Sequence, residues 1–366
     1  MASFSVGITF TCLVESIVLI PSNIKLMISS SDRRRFIRDA SLAAGAITFS
    51  KSLLAKTNNH KITASGRIGI IGLDTSHSIA FTKSLNGSNP SEKYKGFKIV
   101  AAYPQGSADI ESSVKRIPGY IEEVKKLGVE IVQSIQELLT KVDFVLLETN
   151  DGRPHLDQAV QVIKAGKTLF IDKPVAGTLR DAIKIFKAAD QYHVPVFSSS
   201  SLRYMESAQE AAKGKVGKIV GADTYSPATL EKTHPDFFWY GIHGVEILYT
   251  VMGIGCKQIT RTSTDNTDIV VGVWNDGRVG TFRGTRIGSH DYGGTAYGEK
   301  GNLVLGPFKG YDNLLDQIIE FFKTGIPPVS KAEILEIYTF MEAADESKRN
   351  KGQAILLEDI FKKAAH

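Results

Sequence analysis

The stretch Arg67–His77 (RIGIIGLDTSH) most constrains how this chain can fold. Residues 67–71 predict a short, apolar strand, Gly72 ends it, and residues 78–85 have helical spacing. A strand, a glycine turn and a helix in this order begin a doubly wound α/β domain. In such domains the N-terminus of the first helix binds a dinucleotide pyrophosphate, because its unpaired N–H groups point at the ligand.

The glycine fingerprint G-x-G-x-x-G that normally forms this turn is altered here. Gly72 occupies the first glycine position, whereas Asp74 and His77 replace the second and third. One interpretation is that Asp74, together with Thr75 and Ser76, caps the helix. Another is that the Asp74 carboxylate disfavours a second anion at the same helix end, so that a cofactor is shifted, weakly held or absent. The two interpretations are compatible.

Composition limits the classes of function. The length of 366 residues favours two domains, and the small net charge of +5 comes largely from four arginines between residues 33 and 38. We therefore expect no nucleic-acid binding. The two cysteines are Cys12 and Cys256, and Cys12 lies in a segment that we expect to be removed or never made. We therefore expect neither an intramolecular disulfide nor a cysteine-based metal site.

The first 65 residues predict an extension, an export signal and a linker. The apolar run 4–20 contains Glu15 and ends before Pro21, so we do not expect it to span a membrane. Residues 33–38 (RRRFIR) resemble a twin-arginine export signal, with the stretch 40–55 as its h-region. The alternative is a basic amphipathic surface helix. We expect translation to start at Met27 and the protein to be exported to the periplasm, with the signal cleaved or retained as a membrane anchor.

Residues 66–198 predict a Rossmann nucleotide-binding domain, because strands and helices alternate with short loops, as in a parallel sheet. The apolar strand 142–148 leads into loop 149–155, at the edge where open α/β sheets bind ligands. Tyr103 ends the second strand, where NAD-binding domains place an acidic residue, and no arginine follows closely to hold a 2′-phosphate. The sequence therefore does not choose between NAD and NADP.

Residues 199–366 predict an α+β domain with a mostly antiparallel open sheet. Strands 268–274 and 278–284 flank the turn Asn275-Asp-Gly277, and a second hairpin spans residues 295–305. An open sheet face commonly becomes a subunit interface, so we expect a homo-oligomer through this sheet. A last helix, 331–349, is expected to precede a short tail.

Three segments carry a family resemblance that covers about residues 67–349. The first is the strand and turn 67–77. The second, 149–174, is similar to a Thr-Pro-Asn-x-x-His run followed by a Glu-Lys-Pro motif, here Asp172-Lys173-Pro174. The third, 241–253, resembles a helix that bears a catalytic histidine. Together with Arg203-Tyr204, these segments resemble the Gfo/Idh/MocA family of glucose–fructose oxidoreductase and inositol dehydrogenase.

The resemblance implies roles for particular residues. Lys173 and His243 would be the catalytic acid and base, and the Lys173–Pro174 bond is expected to be cis. The implied cofactor-binding residues, for NAD or NADP, are Gly72, Asp74, Thr75, Ser76, His77, Tyr103, Thr149, Asn150, His155, Asp172, Lys173 and Pro174. The substrate, a sugar or polyol, would contact Arg203, Trp239, Tyr240 and His290.

Three functions compete. The first is an exported NAD(P)-dependent oxidoreductase of a sugar or polyol, with a tightly held cofactor and redox-neutral turnover. The second is a non-catalytic carbohydrate-binding protein with a degraded cofactor site; Trp239, for example, replaces the Asp that many relatives carry four residues before the catalytic histidine. The third is a metal-dependent isomerase or hydrolase, but no tight ligand spacing appears and we expect no metal. Its candidate ligands are His234, Asp236, His243, Glu246 and His290.

Overall fold

The computed structural model describes residues 66–366, which belong to one compact unit containing two β-sheets. The predicted export signal and linker lie outside the described residues. Within residues 66–366, no helix combines the length and the apolar character needed to cross a membrane.

The first sheet confirms the predicted doubly wound arrangement. Its strands are β1 (Gly66–Ile71), β2 (Phe97–Tyr103), β3 (Glu130–Ile131), β4 (Phe144–Leu147), β5 (Thr168–Ile171) and β6 (Val196–Ser198). All neighbours pair in parallel, in the order β3-β2-β1-β4-β5-β6. The order reverses between β1 and β4, so a crevice opens there at the carboxyl ends of the strands.

Five helices connect these strands: α1 (Ser76–Asn86), α2 (Glu111–Lys126), α3 (Ile135–Lys141), α4 (His155–Lys164) and α5 (Leu179–Tyr192). Hydroxyl side chains set several of their starts. Ser134 accepts a hydrogen bond from the N–H of Glu137 at the start of α3, and Thr178 accepts one from Asp181 at the start of α5. Strand β4 is buried along its whole length, as its apolar run predicts.

The second half of the chain builds a seven-stranded sheet. Its strands are β7 (Ile219–Pro227), β8 (Cys256–Ser263), β9 (Thr267–Trp274), β10 (Val279–Thr285), β11 (Gly293–Gly298), β12 (Gly301–Leu305) and β13 (Ile355–Leu356). The helices are α6 (Glu206–Ala212), α7 (Asp236–Trp239), α8 (Ile242–Met252), α9 (Asp312–Thr324), α10 (Lys331–Arg349) and α11 (Leu357–Ala365). Both predicted hairpins are present, and only β7 and β10 pair in parallel.

The expectation of a short tail after residue 349 was wrong. Strand β13 adds to the edge of β8, and α11 follows it directly. Helix α11 buries Leu357, Ile360 and Ala364 on one face. These residues recur at helical spacing, so the apolar periodicity was present in a segment that sequence reading left unassigned.

Two helices of the second half hold the sheets together. Every residue of α8 is buried, and the hydroxyl of Thr224 in β7 donates to the carbonyl of Gly244 in α8. Helix α9 packs aromatic rings on the first sheet: Phe322 stacks on Phe144 with centroids 4.6 Å apart, and Phe321 meets Phe197 edge-on at 4.8 Å. This packing places the starts of α8 and α9 beside the carboxyl ends of β1, β4 and β5.

Candidate functional site

A cleft of about 320 Å³ lies between the crevice of the first sheet and the starts of α8 and α9. One side is formed by the β1–α1 turn and α2, and the other by aromatic residues of the second half. The lining residues are Thr75, Ser76, His77, Ser112, Arg116, Asn150, Lys173, Ser201, Leu202, Trp239, Tyr240, His243, Tyr292, Phe308 and Tyr311. This set contains one lysine, one arginine, two histidines and five other aromatic rings, and no carboxylate.

Lys173 lies in the turn after β5, and its bond to Pro174 is cis, as the resemblance implied. The side chain is 8% exposed, and its ammonium has no hydrogen bond or ion pair among residues 66–366. Its Nζ is 6.0 Å from the ring centroid of Trp239 and 5.7 Å from that of Tyr240. Burial lowers the pKa of Lys173, against the opposing effect of Asp172 and Glu148. The cleft therefore contains an unpaired amine that can lose its proton more readily than a surface lysine.

His243, the second predicted catalytic residue, faces the same cleft from the first turn of α8. Its Nδ1 is 2.7 Å from the hydroxyl of Ser200, and the ring of Tyr292 meets it edge-on. Burial lowers the pKa of His243 well below its usual value, and the charges of Lys173 and His77 lower it further. The imidazole is therefore neutral at physiological pH and can accept or donate one hydrogen bond.

His77 stands at the third glycine position of the fingerprint, and its side chain contacts two buried carboxyl groups. Its Nδ1 lies 3.0 Å from Oδ1 of Asp172 and 3.9 Å from Oε2 of Glu148, and the latter oxygen accepts a hydrogen bond from Thr75. Burial and the neighbouring Asp172 raise the pKa of Glu148 well above its usual value. Burial would raise the pKa of Asp172 too, but His77 and Lys173 hold it below the usual value. Asp172 is therefore the ionised member of this cluster.

The donor atoms of His77, Glu148 and Asp172 lie within 4.8 Å of one another, a spacing that a cation could use. The 3.0 Å contact between His77 and Asp172 is nevertheless a direct hydrogen bond and explains the pairing by itself. The ligands suggested for a metal-dependent enzyme are not brought together. His234 accepts the N–H of Gly152, Asp236 pairs with Arg261, and Glu246 pairs with Arg203.

The β1–α1 turn corrects one interpretation of Asp74. Thr75, rather than Asp74, is the N-cap of α1 and accepts the N–H of Ser78. The Asp74 carboxylate points into the protein, where it accepts the N–H groups of Ser107 and Asn150. Gly72 fits the turn as predicted: its φ is +90°, and a Cβ there would lie 2.5 Å from the nitrogen of Thr149.

The adenosine end of the crevice is bridged by side chains. In a Rossmann fold the adenosine lies between the loops after β2 and β4. Here Ser107, in the first loop, donates its hydroxyl to Asp151 in the second, and the Arg153 guanidinium pairs with both Asp151 and Asp109. Arg153 and Ser107 lower the pKa of Asp109 to about 2. The Asp74 carboxylate adds a second link between the same loops.

The pyrophosphate end is open. Ser76 and His77 are the first two residues of α1, so their N–H groups have no carbonyl four residues back in the helix, and both residues line the cleft. Arg116 lines it from α2 and donates to the carbonyl of Asp74 at 3.3 Å. A helix N-terminus and a guanidinium form a suitable cradle for an anion.

These observations test whether a nicotinamide dinucleotide fits. The unpaired Lys173, the unbonded amides at the start of α1 and Arg116 fit its nicotinamide and pyrophosphate parts. At the other end, the Arg153 bridge has to open before an adenosine can lie between the two loops. The residues therefore fit the cofactor, with a rearrangement confined to the loops after β2 and β4.

Several predicted site residues lie elsewhere. Arg203 is buried away from the cleft and pairs with Glu246 and Glu333, because an arginine buried this deeply requires carboxylate partners. His290 lies on an exposed loop outside the cleft. Tyr103 is at the end of β2, with its hydroxyl bonded to Gln105. These placements argue against direct contact of Arg203 and His290 with a substrate.

Other predicted residues support the turn. The ring of His155 donates from Nε2 to the carbonyl of Thr149 at 2.7 Å and so fixes the loop after β4. The hydroxyl of that threonine is buried without a partner among the described residues. Asn150 lines the cleft, and Trp239 and Tyr240 form part of its aromatic side; their contact with a substrate stays a prediction.

Sequence reading missed several residues of the site. Among them are Arg116, Glu148, Arg153 and Tyr311. Glu148 was detectable, since it ends a buried apolar strand where a charge is unusual. Tyr311 was not, because its contacts, an edge-on ring contact with His77 and a 3.0 Å bond to the hydroxyl of Ser76, join residues far apart in sequence.

Comparison with known proteins agrees with this geometry. Residues 66–200 match the Gfo/Idh/MocA family model, described as an oxidoreductase family with an NAD-binding Rossmann fold. The matched residues, which are just over a third of the chain, are similar to the nucleotide-binding domain of that family. No curated protein matches the sequence. The Gfo/Idh/MocA match covers the turn, the loop after β4 and the Asp172-Lys173-Pro174 turn, which are the segments that carried the resemblance.

Solved structures show the same fold over most of the chain. A probable dehydrogenase from Thermotoga maritima is 20% identical, with a TM-score of 0.66 over 80% of this chain and 99% of that one. A putative myo-inositol dehydrogenase from Sinorhizobium meliloti 1021 is 16% identical, with a TM-score of 0.65 over 80% and 100%. Scyllo-inositol dehydrogenase from Lactobacillus casei, solved with NAD(H) and scyllo-inositol, is 16% identical, with a TM-score of 0.63 over 80% and 99%. At these identities the likeness establishes the fold.

Proposed function

We propose that this protein is an exported NAD(P)-dependent oxidoreductase that acts on a sugar or polyol, with a tightly held cofactor. The observation that carries the proposal is the position of Lys173. Its amine is buried, has no partner among the described residues and faces His243 across a cleft lined by aromatic rings. An unpaired buried amine is costly in a folded protein unless a ligand satisfies it.

The aromatic side of the cleft supports a carbohydrate substrate. Trp239, Tyr240 and Tyr292 present ring surfaces beside Lys173 and His243. Flat apolar surfaces with a few polar groups between them suit a ring that has hydroxyls at its edge. The scyllo-inositol complex of the Lactobacillus casei dehydrogenase supports the same class of substrate.

The chain's own residues supply binding and proton handling. When bound, the nicotinamide supplies the hydride acceptor. Lys173 would hold the reacting hydroxyl and, because burial lowers its pKa, can relay the proton that leaves it. His243, kept neutral by burial, would bind the same or a neighbouring hydroxyl. The aromatic rings around them would exclude water from the reacting carbon.

Export and redox-neutral turnover complete the proposal. The segment that resembles a twin-arginine signal motivates export, and no pool of free nicotinamide cofactor exists outside the cytoplasm. We propose that the cofactor stays bound while one sugar is oxidised and another reduced, or while a transient oxidation assists bond cleavage. Fractionation of cells expressing the full chain tests export, and detection only in the cytoplasm would count against it.

The central test uses the purified mature protein. Mass spectrometry and absorbance should detect a co-purified nicotinamide dinucleotide, and calorimetry should detect binding of added NAD or NADP. A panel that includes scyllo-inositol, myo-inositol and common hexoses should then identify a substrate. A protein with no bound dinucleotide and no affinity for either one would remove the proposal.

A second candidate is a carbohydrate-binding protein without catalysis on the same scaffold. The bridged adenosine end favours it, because Asp74 already accepts N–H groups from both loops and Arg153 already pairs with carboxylates of both loops. Calorimetry separates the two candidates. Sugar binding with the same affinity in the presence and absence of NAD(P) would support the binding protein.

We also propose that the protein is a homo-oligomer through the second sheet. Its outer face exposes Val220 and Tyr225 of β7, Val279 of β10 and Val304 of β12, which is 74% exposed. Apolar residues grouped on an open sheet face are typical of subunit interfaces. Light scattering during gel filtration measures the oligomeric state, and a monomer at micromolar concentration would contradict this part of the proposal.

A further inference from the structure

The cleft contains two histidines, and their partners differ. His243 is bonded through Nδ1 to the hydroxyl of Ser200, a neutral group. His77 is bonded through Nδ1 to Asp172, a buried carboxylate, with Glu148 as a second carboxyl group nearby. A carboxylate behind an imidazole fixes its tautomer and stabilises the imidazolium, whereas a hydroxyl does neither strongly.

We infer that His77 is the catalytic base of this site and that Asp172 is its positioning residue. An ionised carboxylate only accepts hydrogen bonds, so Nδ1 of His77 carries a hydrogen, and in the neutral ring the lone pair is therefore on Nε2. His77 lines the cleft, and its Nε2 has no hydrogen-bond partner among residues 66–366. The unprotonated nitrogen is therefore available to a ligand.

The inference rests on the proposed oxidoreductase function and extends it. In the oxidation direction, the O–H bond of the hydroxyl held by Lys173 would break and its proton would pass through the Lys173 relay to Nε2 of His77, while a bound nicotinamide would supply the hydride acceptor. The new positive charge lies beside Asp172, which is already ionised. On reduction of the next substrate, the same proton returns to the alkoxide, so one bound proton serves both halves of a redox-neutral cycle.

The surroundings of His77 are compatible with this role. Asp172 and Glu148 face its ring from the ends of β5 and β4, and Tyr311 meets it edge-on at 4.3 Å from the start of α9. The other titratable or charged groups that line the cleft with it are Arg116, Lys173, Tyr240, His243 and Tyr292. The sequence pattern assigns this position to a glycine, so a histidine here is a departure specific to this turn.

The first experiment compares His77→Gln with His193→Gln, an exposed histidine at the end of α5. The glutamine amide can keep the hydrogen bond to Asp172 but cannot accept a proton. We expect kcat on the best substrate of the polyol and hexose panel to fall about 10²–10⁴-fold with KM nearly unchanged. His193→Gln should match the parent, and added imidazole should partly restore His77→Ala. An unchanged kcat in His77→Gln would overturn the inference.

The pH dependence of kcat/KM distinguishes proton transfer by His77 from a purely structural role of the same residue. Because the base must be unprotonated, kcat/KM in the oxidation direction should rise with pH and then level off. Asp172→Asn should move this rise to lower pH, since the imidazolium loses its carboxylate, and His77→Gln should abolish it. A rise that stays in place in both variants would contradict the assignment.

The protonation of His77 can also be measured without a substrate, by NMR. In protein labelled with ¹⁵N-histidine, the resonance absent from His77→Gln should show protonated Nδ1 and bare Nε2 at neutral pH. A protonated Nε2, or a metal ion detected at this histidine by elemental analysis, would overturn the inference. Failure of the parent protein to turn over any sugar or polyol with NAD(P) would instead remove the proposed function.

Discussion

The two ends of the nucleotide crevice differ in whether their polar groups are already paired within the protein. At the adenosine end, Asp74, Ser107, Asp151 and Arg153 satisfy one another's hydrogen bonds and charges across two loops. At the nicotinamide end, Lys173 and the first amides of α1 have no partner among the described residues. Paired groups can form hydrogen bonds to a ligand only after their own contacts break. Unpaired groups gain hydrogen bonds from a ligand without losing any.

This contrast locates the departure of the chain from an ordinary Rossmann fold in the adenosine-binding loops. The parts that face the reacting centre are retained, and the part that would bind the adenosine is occupied by the protein's own charges. Binding of a dinucleotide therefore has two opposing contributions, a gain at one end and the cost of opening the other. Three changes test that division.

The largest effect should come from Lys173→Ala at the open end. Removing the amine takes away the group that holds the reacting hydroxyl, and we expect kcat/KM to fall about 10²–10⁴-fold. Steady-state kinetics with the best sugar or polyol measure this effect. Lys164→Ala, at the exposed end of α4, is the matched control and should leave the rate unchanged; full activity in Lys173→Ala would show that the open end is not the reacting end.

A smaller effect should follow from Asp74→Ala at the closed end. The N–H groups of Ser107 and Asn150 would lose their acceptor in a buried position, so the free energy of unfolding should fall by about 1–3 kcal/mol. Urea denaturation measures it. Asp157→Ala, on the exposed side of α4, is the control, and an equal loss in both variants would mean that the carboxylate does not link the loops.

The smallest effect should come from Arg153→Gln. Without the guanidinium the two loops can separate at less cost, and we expect the Kd for NAD to fall about tenfold, equivalent to about 1.4 kcal/mol. Calorimetry of the purified protein measures it. Arg180→Gln, an exposed arginine on α5, controls for the change of charge. A weaker affinity for NAD in Arg153→Gln would show that Arg153 contributes to adenosine binding instead of opposing it.

Much of the fold was predictable because it depends on local patterns. The apolar runs of β1, β2, β4 and β5 and the Asn275-Asp-Gly277 turn specify their elements within a few residues. The Asp172-Lys173-Pro174 turn and the His243 helix were recognisable as motifs, and the structure brings both to one cleft. Their catalytic roles remain predictions, as does the boundary at residue 198, which is the last residue of the first sheet.

The remainder of the site depends on long-range pairing that no local pattern reveals. A capping role was a reasonable interpretation of Asp74, but its partners lie 33 and 76 residues away. His77 was predicted to bind the cofactor from its position in the fingerprint, and its contact with Asp172 spans 95 residues. Arg203 was predicted to contact the substrate, but it is buried and forms ion pairs with Glu246 and Glu333.

The contact between Ser76 and Tyr311 has a consequence for biogenesis. The two residues are separated by 235 positions, so a nascent chain cannot form it until most of the polypeptide has left the ribosome. Contacts of such high sequence separation slow folding, since a long loop has to close before they form. The cleft should therefore form last, and truncation before residue 311 would remove α9 and leave the catalytic chamber incomplete and filled with solvent.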